Sequence, residues 1–290
     1  MKIYINGKFY SKEKAAVSVF DHGLLYGDGV FEGIRAYKGR IFMLEAHVDR
    51  LFDSAKAIAL EMPMTRKAMC EAVAKTCQAN KTVDGYIRLI VTRGVGTLGL
   101  NPFTCLKPQV IIIVASIQLY PEQDYRDGLK VVTAGTIRNM QEAVNPNIKS
   151  LNYLNNILAK IEAINAGCKE AIMLNPQGFV SEATGDNIFA VKGNVIRTPP
   201  TSSGALIGIT RAVVMDIATD AGFDVREEVM TRYDLYTADE VFLTGTAAEV
   251  IAVSLLDARK IGNGKPGKVT RKLETIFRRL AESSGYPIYK

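Results

Sequence analysis

Lys149, in Asn147-Ile148-Lys149-Ser150-Leu151-Asn152-Tyr153, stands at the start of a stretch whose apolar residues recur at helical spacing. A lysine amine can condense with an aldehyde to form an imine, provided enough of it is deprotonated. A nearby helix N-terminus disfavours the ammonium form and would supply that condition. Glu182, in Val180-Ser181-Glu182-Ala183-Thr184-Gly185-Asp186-Asn187, is an acid followed by small residues and then an extended run. At a pyridine nitrogen such a carboxylate keeps the ring protonated and electron-withdrawing. Two further segments could hold anions. In Gly204-Ala205-Leu206-Ile207-Gly208-Ile209-Thr210-Arg211, glycines lead into a helix start, where unsatisfied amides suit a phosphate. In Leu243-Thr244-Gly245-Thr246-Ala247-Ala248-Glu249, a strand ends in a turn of small residues that can offer consecutive amides. Alone, each has a plain structural explanation: a solvated lysine, a turn acid, helix punctuation, a strand-to-strand turn. Their order along one chain carries the argument.

The rest of the composition narrows the field. With 290 residues, 48% of them hydrophobic, the chain can build one large core or two modest ones. No apolar run approaches the roughly 18 residues that cross a bilayer. The longest, 110–117, is broken by Ala115 and Ser116 and suits a buried strand. The first seven residues show no apolar segment of signal-peptide type, so a cytoplasmic location is the default expectation. Cys70, Cys77, Cys105 and Cys168 form no CxxC pair and are expected to be reduced and mostly buried. Only His22 and His47 are present, so no metal site is expected, and a Ser-His-Asp triad would have to use one of these two. The net charge of +6 is spread along the chain without a basic stripe, which argues against nucleic acid. A mild positive balance also suits phosphate and carboxylate ligands.

The elements that must position these residues can be read from periodicity. Asn6-Gly7 between extended segments predicts a hairpin. Helices are predicted over 45–60 and 65–80, then strands over 86–93 and 110–118. Asp21-His22-Gly23 reads as a turn. The polar stretch 119–128, which contains Pro121, predicts an interdomain linker, placed at 121–130 between domains 1–120 and 131–290. A strand over 129–134 and an irregular segment over 139–149 follow. Ser150 then reads as the cap of a helix with Leu151, Leu154, Leu158, Ile161 and Ile164 on its apolar face and Gly167 at its end. Further strands are predicted over 170–174, 187–191, 195–197, 240–243 and 250–254, and helices from 210 to before Gly222 and over 270–282. There is no βα alternation with a Gly-rich loop, which points to α+β rather than α/β.

The ordered motifs resemble those of the fold-type IV pyridoxal-phosphate enzymes, and within them the branched-chain-amino-acid aminotransferases. The likeness extends to His22-Gly23-Leu24-Leu25-Tyr26-Gly27-Asp28-Gly29-Val30-Phe31-Glu32-Gly33-Ile34-Arg35, to His47-Val48-Asp49-Arg50-Leu51 and to Tyr86-Ile87-Arg88-Leu89-Ile90-Val91-Thr92-Arg93-Gly94, and covers nearly the whole chain. It implies a smaller N-terminal α/β sandwich and a larger C-terminal pseudo-barrel. It also implies roles. Lys149 would form the aldimine with pyridoxal 5'-phosphate and shuttle the proton at Cα. Glu182 would pair with the pyridine nitrogen, Tyr153 with the ring hydroxyl, and Leu206 would pack on the ring face. Arg50, Ile209, Thr210 and Thr246 would hold the phosphate. The amides of Thr246 and Ala247 would receive the substrate carboxylate, with Tyr26, Phe31 and Arg88 around its side chain. The implied partners are amino acids and 2-oxo acids, and a second copy of the chain in a homodimer or a higher assembly of dimers.

Three alternatives follow from the same residues. A D-amino-acid transaminase or an aminodeoxychorismate lyase shares the fold, but the former tends to carry an Arg-x-His trap where this chain has Arg93-Gly94-Val95-Gly96-Thr97-Leu98-Gly99-Leu100, without histidine. Thr97 departs from the acid that relatives often have there. A non-catalytic basic module would leave the ordered motifs unexplained.

Overall fold

Asn6 and Gly7 take positive φ values of 48° and 87°. This is the conformation a two-residue hairpin turn requires, and it pairs β1 (Lys2–Ile5) with β2 (Lys8–Ser11), Ile5 opposite Lys8. The computed structural model describes residues 1–117 and 119–289. It divides into two units, Met1–Ile117 with Ile148–Asn152 and Ala281–Lys290, and Gln118–Asn147 with Tyr153–Leu280. The fold is α+β.

In the first unit α1 (His22–Tyr26), β3 (Gly29–Tyr37), β4 (Arg40–Ile41), α2 (Leu44–Ala57), α3 (Arg66–Ala79), β5 (Gly85–Thr92) and β6 (Gln109–Ala115) follow β2. The seven-stranded sheet runs Tyr286–Pro287, β4, β3, β5, β6, β1, β2. Every pairing in it is antiparallel. Leu44, Leu51, Met69 and Val73 of the two long helices bury against Ile34, Ile87 and Ile112 of the sheet. Each such side chain contributes roughly 1.5–3 kcal/mol when fully buried. Asp21-His22-Gly23, read as a turn, instead opens α1, with the Asp21 carboxylate accepting from Gly23 N at 2.7 Å. β3 escaped the periodicity because eight of its nine residues are buried, so it shows no alternation. Gln118, the expected end of the strand now seen as β6, lies outside the described residues.

In the second unit the order is α4 (Glu122–Asp127), β7 (Leu129–Thr133), α5 (Leu154–Asn165), β8 (Glu170–Leu174), β9 (Val180–Ala183), β10 (Asn187–Lys192), β11 (Val195–Thr198), α6 (Ile209–Asp220), β12 (Asp224–Glu227), α7 (Arg232–Tyr236), β13 (Glu240–Gly245), β14 (Glu249–Leu256), β15 (Arg259–Lys260) and α8 (Lys268–Ser283), the last three residues of which are counted with the first unit. The sheet runs β12-β11-β10-β13-β14-β7-β8-β9, with β15 on β14. Only β11/β12, β14/β7 and β7/β8 are parallel. The turn 184–186 returns the end of β9 to the start of β10, and Ala183 N donates to Asp186 O at 2.7 Å. The sheet therefore curls back on itself. Phe189 and Phe242 stack within it, ring centroids 4.9 Å apart.

Two expectations about this region change. The stretch 121–130 holds α4 and the start of β7, so its polar residues belong to a short helix within the second unit. The helix expected from Ser150 starts at Leu154, and its apolar residues Leu154, Leu158, Ile161 and Ile164 are 46–68% exposed. The side that packs is Ala159 and Ala163, against Ala134, Ala171 and Met173. Small side chains let the helix approach closely and leave the larger ones outward. Three cysteines are buried and Cys168 is half-buried. Among the described residues no helix is long and apolar enough to cross a membrane.

Candidate active site

The residues singled out above fall into two groups, one in each unit. In the first, Lys149 is fixed by its own main chain. Lys149 N donates to Ser54 Oγ (3.1 Å), Phe31 N donates to Lys149 O (2.9 Å) and Leu151 N to Gly29 O (2.9 Å). The segment is thus laced to β3, and it is this lacing, not a helix start, that sets the lysine. Its Nζ lies 4.8 Å from the centroid of the Phe31 ring, and Arg88 Cζ lies 4.5 Å from the same centroid. Phe31 opposes Ile90 and Gly33 opposes Arg88 in the β3/β5 register, so Phe31 and Arg88 share a face as diagonal neighbours. Arg88 Nη2 donates to the Tyr86 hydroxyl at 3.1 Å. Two cations about one aromatic ring form a surface that is apolar in its middle and receptive to anions at its edge.

Glu32, on the other face of β3, is fully buried. It accepts from Arg50 Nε (2.8 Å) and Nη2 (2.8 Å), and from His47 Nδ1 (2.7 Å). His47 and Arg50 are three apart on α2 and share a helix face. Burial alone would raise the Glu32 carboxyl, but Arg50 and then His47 outweigh it and bring it down to about 2. Burial pushes His47 below its ordinary value, with Glu32 pulling the other way. An ionised carboxylate at Nδ1 assigns the ring proton there.

In the second unit Glu182 lies on β9, 5% exposed. Arg138 Nε donates to its Oε1 (2.9 Å), while Asn187 Nδ2 (3.1 Å) and Leu206 N (3.0 Å) donate to Oε2. Asn187 Nδ2 also reaches Leu206 O at 3.0 Å, which ties the acid to the 204–208 loop. Gly208 permits that approach, since a Cβ there would strike Asn187 Oδ1. Gly208 also begins α6 without a side-chain cap. The first helical bond is Ala212 N to Gly208 O (3.0 Å), so the amides of Ile209 and Thr210 precede the ladder and point to an anion site. Thr246 and Ala247 form the turn between β13 and β14. Beside that turn, buried Thr244 Oγ1 has no partner among the described residues. Tyr153 sits at the N-terminal boundary of α5, half-buried.

Tyr26 stands apart from these groups. Its hydroxyl donates to Leu98 O, and His22, whose Nε2 is 2.7 Å from Thr97 O, packs edge-on against its ring. Glu32, His47, Arg138 and Asn187 join the site without a place among the residues that the motifs mark for it. An acid inside an otherwise apolar run was the available signal for Glu32, and a histidine three residues before Arg50 for His47. Arg138 lies in an irregular segment where no pattern marks it.

Residues 29–256 match the family model for amino-transferase class IV. A Methanocaldococcus jannaschii protein is 50% identical over 289 residues, which cover 100% of this chain and 99% of that one. The branched-chain-amino-acid aminotransferase of Pseudomonas aeruginosa is 41% identical (95% and 91% covered), and the D-alanine aminotransferase of Bacillus licheniformis 36% (96% and 96%). The crystal structure of Escherichia coli branched-chain amino acid aminotransferase superimposes with a TM-score of 0.94 at 35% identity, covering 98% of this chain and 96% of that one. The chain belongs to the class IV amino-transferases. It is an aminotransferase with the fold-type IV architecture.

Proposed function

We propose that the enzyme exchanges amino groups between the branched-chain L-amino acids leucine, isoleucine and valine and 2-oxoglutarate, with pyridoxal 5'-phosphate as its cofactor. The observation that carries this reading is the Phe31 ring with Lys149 on it and Arg88 at its side. The ring suits a branched aliphatic side chain, and the guanidinium suits the distal carboxylate of glutamate or 2-oxoglutarate.

The donor set fits the cofactor. An amine is presented by Lys149, a carboxylate by Glu182, an uncapped helix N-terminus by α6 and a guanidinium by Arg50, and these match an aldehyde, a ring nitrogen and a phosphate. When bound, the cofactor supplies the electron sink that lets the bond from Cα to hydrogen break. Lys149 would be the amine that holds the cofactor through its aldehyde and, once the substrate amine has displaced it, the base that takes and returns the Cα proton. Glu182, anchored by Arg138, Asn187 and Leu206, accepts from the ring N–H. Tyr153 bonds the ring hydroxyl and Leu206 covers a ring face. Arg50, Ile209, Thr210 and Thr246 hold the phosphate, and the amides of Thr246 and Ala247 take the substrate carboxylate. Phe31, Arg88 and Tyr26 complete the side-chain subsite. A homodimer or a higher assembly of dimers is part of the reading, with the loop that holds Tyr26 reaching the neighbouring copy, as the family resemblance implies. Exposed Leu24, Leu98, Leu100 and Phe103, with the outward face of α5, supply apolar surface for that pairing. Light scattering should give at least twice 31.7 kDa, and a monomer would count against the pairing. A cytoplasmic enzyme is the setting proposed.

The direct test is the visible spectrum. L-leucine should discharge the yellow form and 2-oxoglutarate should restore it. A protein that ignores L-leucine and responds to D-alanine would move the assignment to the second reading, supported by the Bacillus licheniformis relative.

A further inference from the structure

The turn that joins β9 to β10 carries a buried acid for which the proposed chemistry has no use. Asp186 is 5% exposed, and Glu170 on β8 is 2% exposed. The Tyr120 hydroxyl lies between them, 3.2 Å from Glu170 Oε2 and 3.3 Å from Asp186 Oδ2. A phenol has one proton and can donate to one carboxylate only. With both acids ionised, the other contact would set a carboxylate oxygen against a phenol lone pair, away from water. A proton on one of the acids removes the conflict.

The surrounding donors say which acid holds it. Glu170 Oε1 receives Ala171 N (2.8 Å), Thr184 N (3.1 Å) and Thr184 Oγ1 (2.5 Å), and Oε2 receives Lys160 Nζ (3.1 Å). The negative charge is therefore satisfied on Glu170. Asp186 Oδ1 lies against Gly245 instead, where a Cβ would collide with it.

We propose that Asp186 keeps its proton on the acid side of neutrality and is a positioning residue, whose neutral carboxyl donates to Tyr120 and lets the 184–186 turn lie against Gly245, at the root of the 246–248 turn. The protonation rests on this geometry. Its effect on turnover rests on the reading above, in which the 246–247 amides receive the substrate carboxylate. The groups that face Asp186 are Glu170 from β8, Lys160 from α5, Tyr120 from the segment before α4, and Glu182 from β9. Burial, and next the Glu170 charge, push the Asp186 carboxyl up to about 7, against the opposing pull of Lys160 and Tyr120. Its folded value is raised, so its stabilising contribution is complete at acid pH and is lost as pH rises through about 7. Ionisation there adds a buried negative charge beside Glu182 and the turn proposed to take an anion, so KM for the 2-oxo acid should climb on the alkaline side.

Infrared difference spectroscopy on the full-length holoenzyme tests this. The wild type should show a buried carboxylic-acid C=O band that disappears as pH rises across neutrality and that shifts when aspartate is labelled with carbon-13. Asp186→Asn should lack the band, lose the alkaline rise in KM, and lose less melting temperature than the wild type between pH 5.5 and pH 8.5, roughly the unit and a half either side of neutrality over which a single group changes state. A band that is missing from the wild type, that ignores the aspartate label, or that survives in Asp186→Asn overturns the proposal. The labelling arm decides the matter even if the variant does not fold. An enzyme that failed to use L-leucine would sink the substrate reading and leave the band untouched.

Discussion

Lys149→Ala is expected to yield a folded protein that has lost the absorbance of the covalently bound cofactor and at least about 10⁴-fold of its turnover, the upper range for one positioned proton-transfer group. The fold should survive because the contacts that fix this segment are main-chain ones, to Ser54, Phe31 and Gly29, and truncation at Cβ leaves them in place. What disappears is the amine on the Phe31 ring. The covalent link and the proton carrier go together, so the loss should exceed that of a residue that only tunes the ring. Glu182→Gln is the comparison. It keeps the volume and can still accept from Asn187 and Leu206, retains bound cofactor, and slows the proton step because a neutral amide no longer holds the ring protonated. It also leaves buried Arg138 without its anion, so it should melt lower than the wild type. Absorbance and single-turnover rates separate the two. Near-normal turnover in Lys149→Ala would end the assignment of the lysine.

Glu32→Gln should be the most destabilising conservative change in the first unit, by about 3–5 kcal/mol, because removing one member of a buried ion pair strands the other. Arg50 would keep its charge with neither Nε nor Nη2 facing an anion, and His47 would lose the acceptor for its Nδ1–H. The wild-type acid limb carries the same signature. Glu32 falls from an ordinary 4.5 to about 2 in the folded chain. That depression stabilises by about 3 kcal/mol above the unfolded value. The contribution is present above pH 4.5 and is lost as pH falls toward 2. Denaturant titrations at pH 7 and pH 3 should therefore show wild type and variant far apart at the first and converging at the second, by the depressed-carboxylate linkage. Equal separation at both would show that the stabilisation is not the ionised carboxylate. Cofactor affinity should fall as well, since the same carboxylate orients the guanidinium proposed for the phosphate.

Much of the fold could be read from the residues, and the parts that could not share a cause. The two helices near 45 and 65 and the strands β5 and β6 each bury one face, so their periods are visible, while the first hairpin is marked by its Asn6-Gly7 turn. β3 is buried on both faces and shows no period, although it carries Phe31 and Glu32. The α5 stripe was visible and pointed the wrong way, because the sequence records that Leu154, Leu158, Ile161 and Ile164 share a face but not that Ala159 and Ala163 are the side that packs. For the site, Lys149, Glu182 and the α6 start stood out through motif order. Their holders did not. Arg138 comes to Glu182 from 44 residues upstream, and Glu32 meets Arg50 across 18, distances no local pattern encodes.

The first unit is assembled from three separate stretches, 1–117, 148–152 and 281–290. A ribosome making this chain delivers six strands of its seven-stranded sheet early, but the strand at Tyr286–Pro287 only after the whole second unit has been synthesised. Until then the edge at β4 is open and is a template for pairing with other chains. Premature termination anywhere between 150 and 285 would therefore leave a product that already contains the lysine yet has an uncovered sheet edge, prone to aggregate rather than to act as a smaller enzyme.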